Sequence, residues 1–178
     1  MEKNLLGTLA IDLGNTNTVI AFQDQRDTKF ILIDIPNITS SPGVIPTVIW
    51  YEEPLKIIKI GISALKMRDT TNSELFFHSN FKRLIGNPIE QINTKNILSP
   101  TECGEKFFKL LWANIPKKYE IKRLVLTAPI DTYKGYREWL ISLCNEVSVD
   151  EIALVDEPTA ASLGINVPFG SKIMTLDI

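Results

Sequence analysis

The sequence predicts an α/β protein: a mixed sheet with flanking helices plus a small inserted α+β subdomain. Two patterns lead to this prediction. Residues 5–35 contain three short strand-like runs joined by polar turns, which is typical of an antiparallel meander. Residues 120–178 instead alternate strand-like and helix-like segments, which predicts parallel strands covered by helices. The stretch from residue 37 to residue 98 fits neither pattern and is predicted to be the insertion.

The first 98 residues hold the meander and the insertion. Strands are predicted where short apolar runs are bounded by polar or turn residues. These runs are LLGTLAIDL, TVIAFQD, KFILIDI, IPTVIWY and LKIIKI. The prolines of residues 36–46 mark a loop and predict that IPTVIWY is an edge strand. Two helical segments complete this half, GISALKMRD and a turn in SNFKRLIG that Gly86 closes.

The second half begins with a helix start. Ser99 is a predicted N-cap, because Pro100 follows it and Glu102 stands three positions later. Apolar residues at helical spacing then continue through FFKLLWANI. Beyond this helix, the strands EIKRLVLTA, EIALVD and KIMTLD alternate with the helical segments TYKGYREWLISLCNEV and EPTAASLGI. Asp156 or Thr159 can cap the last of these helices.

The composition excludes several function classes. A net charge of -2 over 178 residues gives neither a basic surface for nucleic acid nor a polybasic segment for a membrane. No apolar stretch reaches the ~20 residues that span a bilayer, and the N-terminus lacks a secretory signal pattern. With two cysteines, Cys103 and Cys144, and one histidine, His78, we expect free thiols, no Cys/His metal site and a cytoplasmic location.

The first strand ends in a polar turn within AIDLGNTNTVIAF. The turn is either an ordinary hairpin or a cradle whose N–H groups and hydroxyls surround phosphate oxygens. In the second interpretation, Asp12 binds Mg²⁺ through water. The turn is not a Walker P-loop, because it lacks the terminal Lys and Ser/Thr and leads into a strand. Taken alone, it favours the hairpin.

Charged residues elsewhere bear on that choice. Lys82 belongs either to a solvated helix face or to a phosphate site as a mobile cation. Glu157 follows one predicted parallel strand and Asp177 ends another. Because ligands bind at the carboxyl edge of such strands, both acids and Asp12 are expected at one edge. A cation there would relieve the repulsion between them, which makes a Mg²⁺-bound phosphate the economical ligand.

The order of IDLGNTNT, IPTVIWY, FKRLIG, LTAP, VDEPTAASLG and TLDI resembles the N-terminal lobe of the nucleotide-binding domain of DnaK-type heat-shock chaperones. That domain belongs to the actin and sugar-kinase ATPase superfamily. The resemblance runs from about residue 7 to the end of the chain, and EPTAAS and FKRLIG point to the chaperone branch. It implies a ribonuclease H-like, actin-like core over residues 1–36 and 99–178, with an inserted subdomain over residues 37–98.

The resemblance also implies site residues, with Mg²⁺ and ATP or ADP as cofactors. The implied phosphate-loop residues are Asp12, Gly14, Asn15, Thr16 and Asn17. Lys82 would lie near the γ-phosphate, while Glu157 and Asp177, together with Asp12, would hold Mg²⁺ through water and orient the attacking water. Pro129 and Arg137 match the residues that relay nucleotide state to the peptide-binding domain.

The implied parent protein would bind unfolded peptides and co-chaperones, and its second lobe would complete the nucleotide site. This sequence departs from the family at Asn15, where the family usually has Thr, and it stops at Ile178, where the family continues into a second phosphate loop. We therefore expect a fragment with little or no ATP turnover. Two alternatives remain: a non-hydrolysing, nucleotide-sensing scaffold, and an actin-like or sugar-kinase relative.

Overall fold

A computed structural model describes residues 4–53, 55–87, 98–130 and 134–165. Over these residues the protein is mixed α/β, with a six-stranded mixed sheet, four α-helices, one 3₁₀ helix and a small antiparallel sheet of three strands. The strands are β1 (Leu5–Leu13), β2 (Asn17–Asp24), β3 (Phe30–Leu32), β4 (Val44–Pro46), β5 (Val48–Glu52), β6 (Ile57–Ile60), β7 (Phe77–Ser79), β8 (Tyr119–Ala128) and β9 (Glu151–Asp156). The helices are α1 (Ile62–Thr71), a 3₁₀ helix (Phe81–Leu84), α2 (Pro100–Asn114), α3 (Lys134–Cys144) and α4 (Glu157–Gly164).

The large sheet has the strand order β3-β2-β1-β8-β9, and β4 also pairs with β2. β1 and β2 form an antiparallel hairpin, whereas β8 runs parallel to both β1 and β9. The helix α3 connects β8 to β9. The predicted meander followed by a parallel βαβ unit is therefore confirmed. The predicted strand KIMTLD lies outside the described residues.

One face of the large sheet forms the core. Alternate residues of β1, Leu9, Ile11 and Leu13, are buried there, as the two-residue period of a strand requires. They belong to a single apolar cluster that also contains Phe107 and Leu111 of α2. α2 begins where predicted: Ser99 Oγ accepts a hydrogen bond from the Glu102 backbone N–H, and the Glu102 carboxylate accepts one from the Ser99 N–H.

The other face of the large sheet is less covered. α4 lies over it, with Ala160 and Leu163 beside Ala10 and Val125 around a shallow cavity of about 230 Å³. Farther along, Phe30 of β3 is 70% exposed. Most of the buried side chains of the described residues therefore lie on the first face.

The small sheet, of order β6-β5-β7, lies within the predicted insertion. The prediction that IPTVIWY is an edge strand is wrong, because β5 is the central strand of this sheet. Its second neighbour, β7, was not predicted: three residues are too few for a strand period to appear. Trp50 and Ala64 form a small apolar cluster between the sheet and α1, while Ile49 and Ile60 join the main core.

The division of the chain into core and insertion stays a prediction. β4 falls within residues 37–98 yet pairs with β2 of the large sheet, so the two parts are closely joined. Both cysteines are free, as predicted, and both are buried. None of the helices in the described ranges is both long and apolar enough to cross a membrane.

Candidate nucleotide site

The polar turn between β1 and β2 is a tight hairpin. The Gly14 N–H donates to the Asp12 carbonyl at 3.1 Å. A Cβ at Gly14 would lie 2.2 Å from the Asn17 carbonyl oxygen, so no larger residue fits this turn. The Thr47 N–H donates to the Thr16 carbonyl at 2.8 Å and holds the turn against the segment between β4 and β5. Thr16 and Asn17 are exposed at the tip, which leaves their polar groups accessible to a ligand.

Asp12 lies at the carboxyl end of β1, beside the parallel strand β8. The register pairs Ile11 with Leu126, so the next residues, Asp12 and Thr127, reach the same edge of the sheet. The Thr127 hydroxyl donates to Asp12 Oδ1 at 2.5 Å. This hydrogen bond orients the carboxylate while its other oxygen remains available for a ligand or a hydrated cation.

Lys82 and Glu157 form an ion pair. Lys82 Nζ lies 2.7 Å from Glu157 Oε1, although the two residues are 75 positions apart. The side chains are only 11% and 26% exposed, respectively, so the solvated-face interpretation of Lys82 is wrong. Lys82 comes from the 3₁₀ helix, and Glu157 is the first residue of α4, directly after β9. A cation and an acid thus meet at the carboxyl edge of the parallel strands.

Asn15 links the turn to the segment that carries Lys82. Its Nδ2 donates to Asn80 Oδ1 at 2.9 Å, and Asn80 adopts a left-handed conformation with φ of 57° at the start of the 3₁₀ helix. The Asn15 Oδ1 atom is buried and has no hydrogen-bond partner among the described residues. The amide therefore has one buried acceptor that no described group satisfies.

Tyr136 of α3 is a buried residue next to Lys82. It is 3% exposed, and Lys82 Nζ stands 5.8 Å from the centre of its ring. Burial, followed by the negative charges of Glu157 and Asp12, raises the pKa of the Tyr136 hydroxyl far above its usual value. The hydroxyl is buried without a hydrogen-bond partner in the described part of the chain. Tyr136 is thus a buried polar residue that contacts Lys82 and is influenced by the charges of both acids.

Pro129 and Arg137 lie beside this site and line a separate cavity of about 500 Å³. The cavity is completed by Ala128, Ile130, Leu154, Val155, Asp156 and Thr159. Pro129 directly follows the last residue of β8, which agrees with its interpretation as a strand stop. The sequence offered Asp156 and Thr159 as possible caps of α4, and the structure has Asp156 as the N-cap. Its Oδ1 accepts a hydrogen bond from the Thr159 N–H at 2.8 Å.

The predicted residue Asp177 lies outside the described residues. Within those residues, no group of three or more His, Cys, Asp or Glu side chains comes close enough to hold a metal ion directly. Asp12 and Glu157 are the two predicted acids available at the site. A magnesium ion held through water, as the sequence suggested, needs few direct protein ligands, and a hydrated ion suits two separated carboxylates.

The comparisons with known proteins assign no family. No protein-family model matches the chain, and a search of curated proteins finds no match. The geometry of the site therefore carries the functional interpretation.

Sequence reasoning missed three residues of this site: Thr127, Asn80 and Tyr136. Thr127 could have been predicted, because parallel pairing of β1 with β8 places the carboxyl ends of both strands, and hence Thr127 and Asp12, at one edge of the sheet. Asn is also the residue, after Gly, that most readily takes the left-handed conformation seen at Asn80. Tyr136 gave no signal, because an aromatic residue on an amphipathic helix ordinarily belongs to the core.

Proposed function

We propose that this protein is a nucleotide-binding lobe of a DnaK-like chaperone ATPase, which binds the phosphates of Mg-ATP or Mg-ADP between Asp12, Lys82 and Glu157. The observation that carries the proposal is the Lys82–Glu157 ion pair, which lies at the carboxyl edge of parallel strands where ligands of α/β sheets bind. The order β3-β2-β1-β8-β9, antiparallel first and parallel afterwards, supports the ribonuclease H-like assignment.

The side chains present fit a hydrated Mg²⁺ and a phosphate. Asp12 and Glu157 supply hard oxygen ligands for the water shell of Mg²⁺. Lys82 supplies a positive charge, and the turn offers the exposed Thr16 hydroxyl as a hydrogen-bond donor. The bound Mg²⁺ would neutralise phosphate charge. This set of groups is suited to positioning and charge stabilisation, on which phosphoryl transfer depends.

In this proposal, Lys82 exchanges partners. Glu157 holds its ammonium at 2.7 Å, which keeps the cation in place before a ligand arrives. A phosphate would draw Lys82 toward its own oxygens and release the Glu157 carboxylate to accept a proton or hydrogen bond from water. Thr127 keeps the Asp12 carboxylate oriented throughout. In the longer protein implied by the resemblance, this cycle would control the binding and release of unfolded peptides.

A non-hydrolysing nucleotide sensor is the second candidate. The amide of Asn15 stands where the chaperones usually have a threonine hydroxyl, and it is hydrogen-bonded to Asn80. That bond holds the turn to the segment of Lys82 and favours a site that binds nucleotide with a fixed geometry. A phosphate-release assay separates the candidates, since only an ATPase gives turnover once its site is complete.

Binding is tested on the chain itself with Mg-ADP, followed by two-dimensional amide NMR. We expect shift changes concentrated at residues 14–17 and around Glu157, and we expect EDTA to reverse them. Asp12→Asn keeps an oxygen for Thr127 and removes one charge, so it should weaken Mg-ADP binding about tenfold without lowering thermal stability.

The matched control is Asp69→Asn, which removes the same charge from an exposed position on α1. This variant should bind Mg-ADP as the wild type does. Absence of any shift change at the turn at millimolar Mg-ADP would refute the proposed function. Equal weakening by both substitutions would show that the effect comes from net charge and that Asp12 has no specific role.

A further inference from the structure

We propose that the Tyr136 hydroxyl is a positioning group of the same site, which donates a hydrogen bond to a phosphate oxygen of the bound nucleotide. The inference rests on the proposed function and extends it to a residue that neither the sequence nor the family resemblance pointed to. It starts from a buried polar group with no hydrogen-bond partner in the described residues. A buried polar group without a hydrogen bond lowers the stability of a folded protein, and most such groups have partners. A ligand that supplies the missing partner would explain why the hydroxyl is present.

The location of Tyr136 supplies the reason. Its ring packs against that of Trp139 at 5.3 Å between centroids, which holds the side chain in place from the core side. On the other side, the ammonium of Lys82 lies 5.8 Å from the ring centre. A ligand oxygen drawn to Lys82 would therefore approach this ring, and it can reach the buried hydroxyl only once Lys82 moves away from the ring, as the exchange of partners in the proposed function requires.

The hydroxyl is also suited to donate. A tyrosine hydroxyl keeps its proton at neutral pH, and burial together with the nearby carboxylates of Glu157 and Asp12 raises its pKa further. The hydroxyl is buried and therefore removed from water. A phosphate oxygen that accepts from it would thus gain a hydrogen bond without the cost of desolvating the donor at the moment of binding.

The test is Tyr136→Phe in the 178-residue chain. The substitution keeps the ring, its packing on Trp139 and its contact with Lys82, and it removes the hydroxyl alone. We expect the melting temperature of the ligand-free protein to stay the same or rise, because an unsatisfied buried group is removed. We expect Mg-ADP and Mg-tripolyphosphate, measured by calorimetry, to bind about tenfold more weakly, the loss typical of a hydrogen bond to a charged acceptor.

A weaker affinity without a lower melting temperature distinguishes a ligand-binding role of the hydroxyl from a structural one. The control is Tyr119→Phe, which removes a hydroxyl from another buried tyrosine of the main core. Tyr119 begins β8, whereas the candidate site lies at the carboxyl end of that strand. The control variant should leave the affinity for Mg-ADP unchanged.

Three outcomes would overturn the inference. A lower melting temperature for ligand-free Tyr136→Phe would mean that the hydroxyl serves the fold. Wild-type affinity in that variant would mean that the hydroxyl does not contact the ligand, while the proposed function would stand. No binding of Mg-ADP or Mg-tripolyphosphate by the wild-type chain would refute the proposed function and this inference together.

Discussion

His78 makes stability depend on pH at the scale of a single residue. It is 8% exposed on β7, its Nε2 has no hydrogen-bond partner in the described residues, and burial lowers its pKa below the usual 6.5. Below about pH 6.5 the imidazole of His78 takes up a proton in the unfolded chain but resists it in the folded protein. The free energy of unfolding should therefore decrease as the pH is lowered through that range. Above pH 7 this residue should have no effect.

Urea unfolding at pH 7.5, 6.5 and 5.5 measures this dependence. As the only histidine of the chain, His78 accounts for any imidazole titration. His78→Leu replaces the imidazole by an apolar side chain of similar size that cannot titrate, so it should flatten the profile between pH 7.5 and 5.5. A slope that persists in the variant would assign the titration to carboxyl groups instead.

The start of α2 is the clearest prediction at the scale of an element. Replacing Ser99 by Ala removes the acceptor of the Glu102 N–H and should lower the free energy of unfolding by about 1 kcal/mol in urea titrations. Ser99→Thr keeps an acceptor and should cost much less. Equal losses in the two variants would show that the cap hydrogen bond does not carry the effect.

The same cap has its own pH dependence. Hydrogen bonds from the backbone and side chain of Ser99 lower the pKa of Glu102 below its usual 4.5. Their contribution is therefore present above about pH 4.5 and disappears as the pH falls through the lowered pKa.

Elements with a strong local signal were predictable, and those without one were not. β1 matches its predicted range because alternating Leu and Ile residues end at a glycine turn, and α2 begins at a recognisable cap. β7 consists of three residues that owe their strand conformation to pairing with β5. The predicted edge position of β5 failed for the same reason, since it depended on a neighbour that the sequence did not reveal.

The candidate site was predictable only in part. Lys82 and Glu157 could be singled out, but their 2.7 Å contact depends on how the 3₁₀ helix packs near α4, which no local pattern encodes. The roles of Asn80 and Tyr136 follow from tertiary contacts alone. Asp12, by contrast, was placed at the correct edge by the rule for parallel strands.

At the scale of the whole molecule, Gly86 joins the 3₁₀ helix segment to α3. Its φ is 73°, and a Cβ there would lie 2.5 Å from backbone atoms of Gly135 and Tyr136. Gly86→Ala should therefore destabilise the protein by about 2–4 kcal/mol, because left-handed strain and a backbone clash add together.

Thermal and urea unfolding measure this loss. Gly164→Ala is the matched control: a Cβ there meets nothing within 4 Å, so this variant should be as stable as the wild type or slightly more so. A neutral Gly86→Ala would show that the two segments can separate without cost.

The position of β1 also has a consequence for how the chain folds during synthesis. β1 is central in the large sheet, yet its parallel neighbour β8 is made more than a hundred residues later, as the 115-residue separation of Asp12 and Thr127 records. Until β8 leaves the ribosome, one edge of β1 is open to pairing with other chains. Glu157 is made later still, so the two acids of the candidate site, Asp12 and Glu157, are both present only after nearly nine tenths of the 178 residues have been translated.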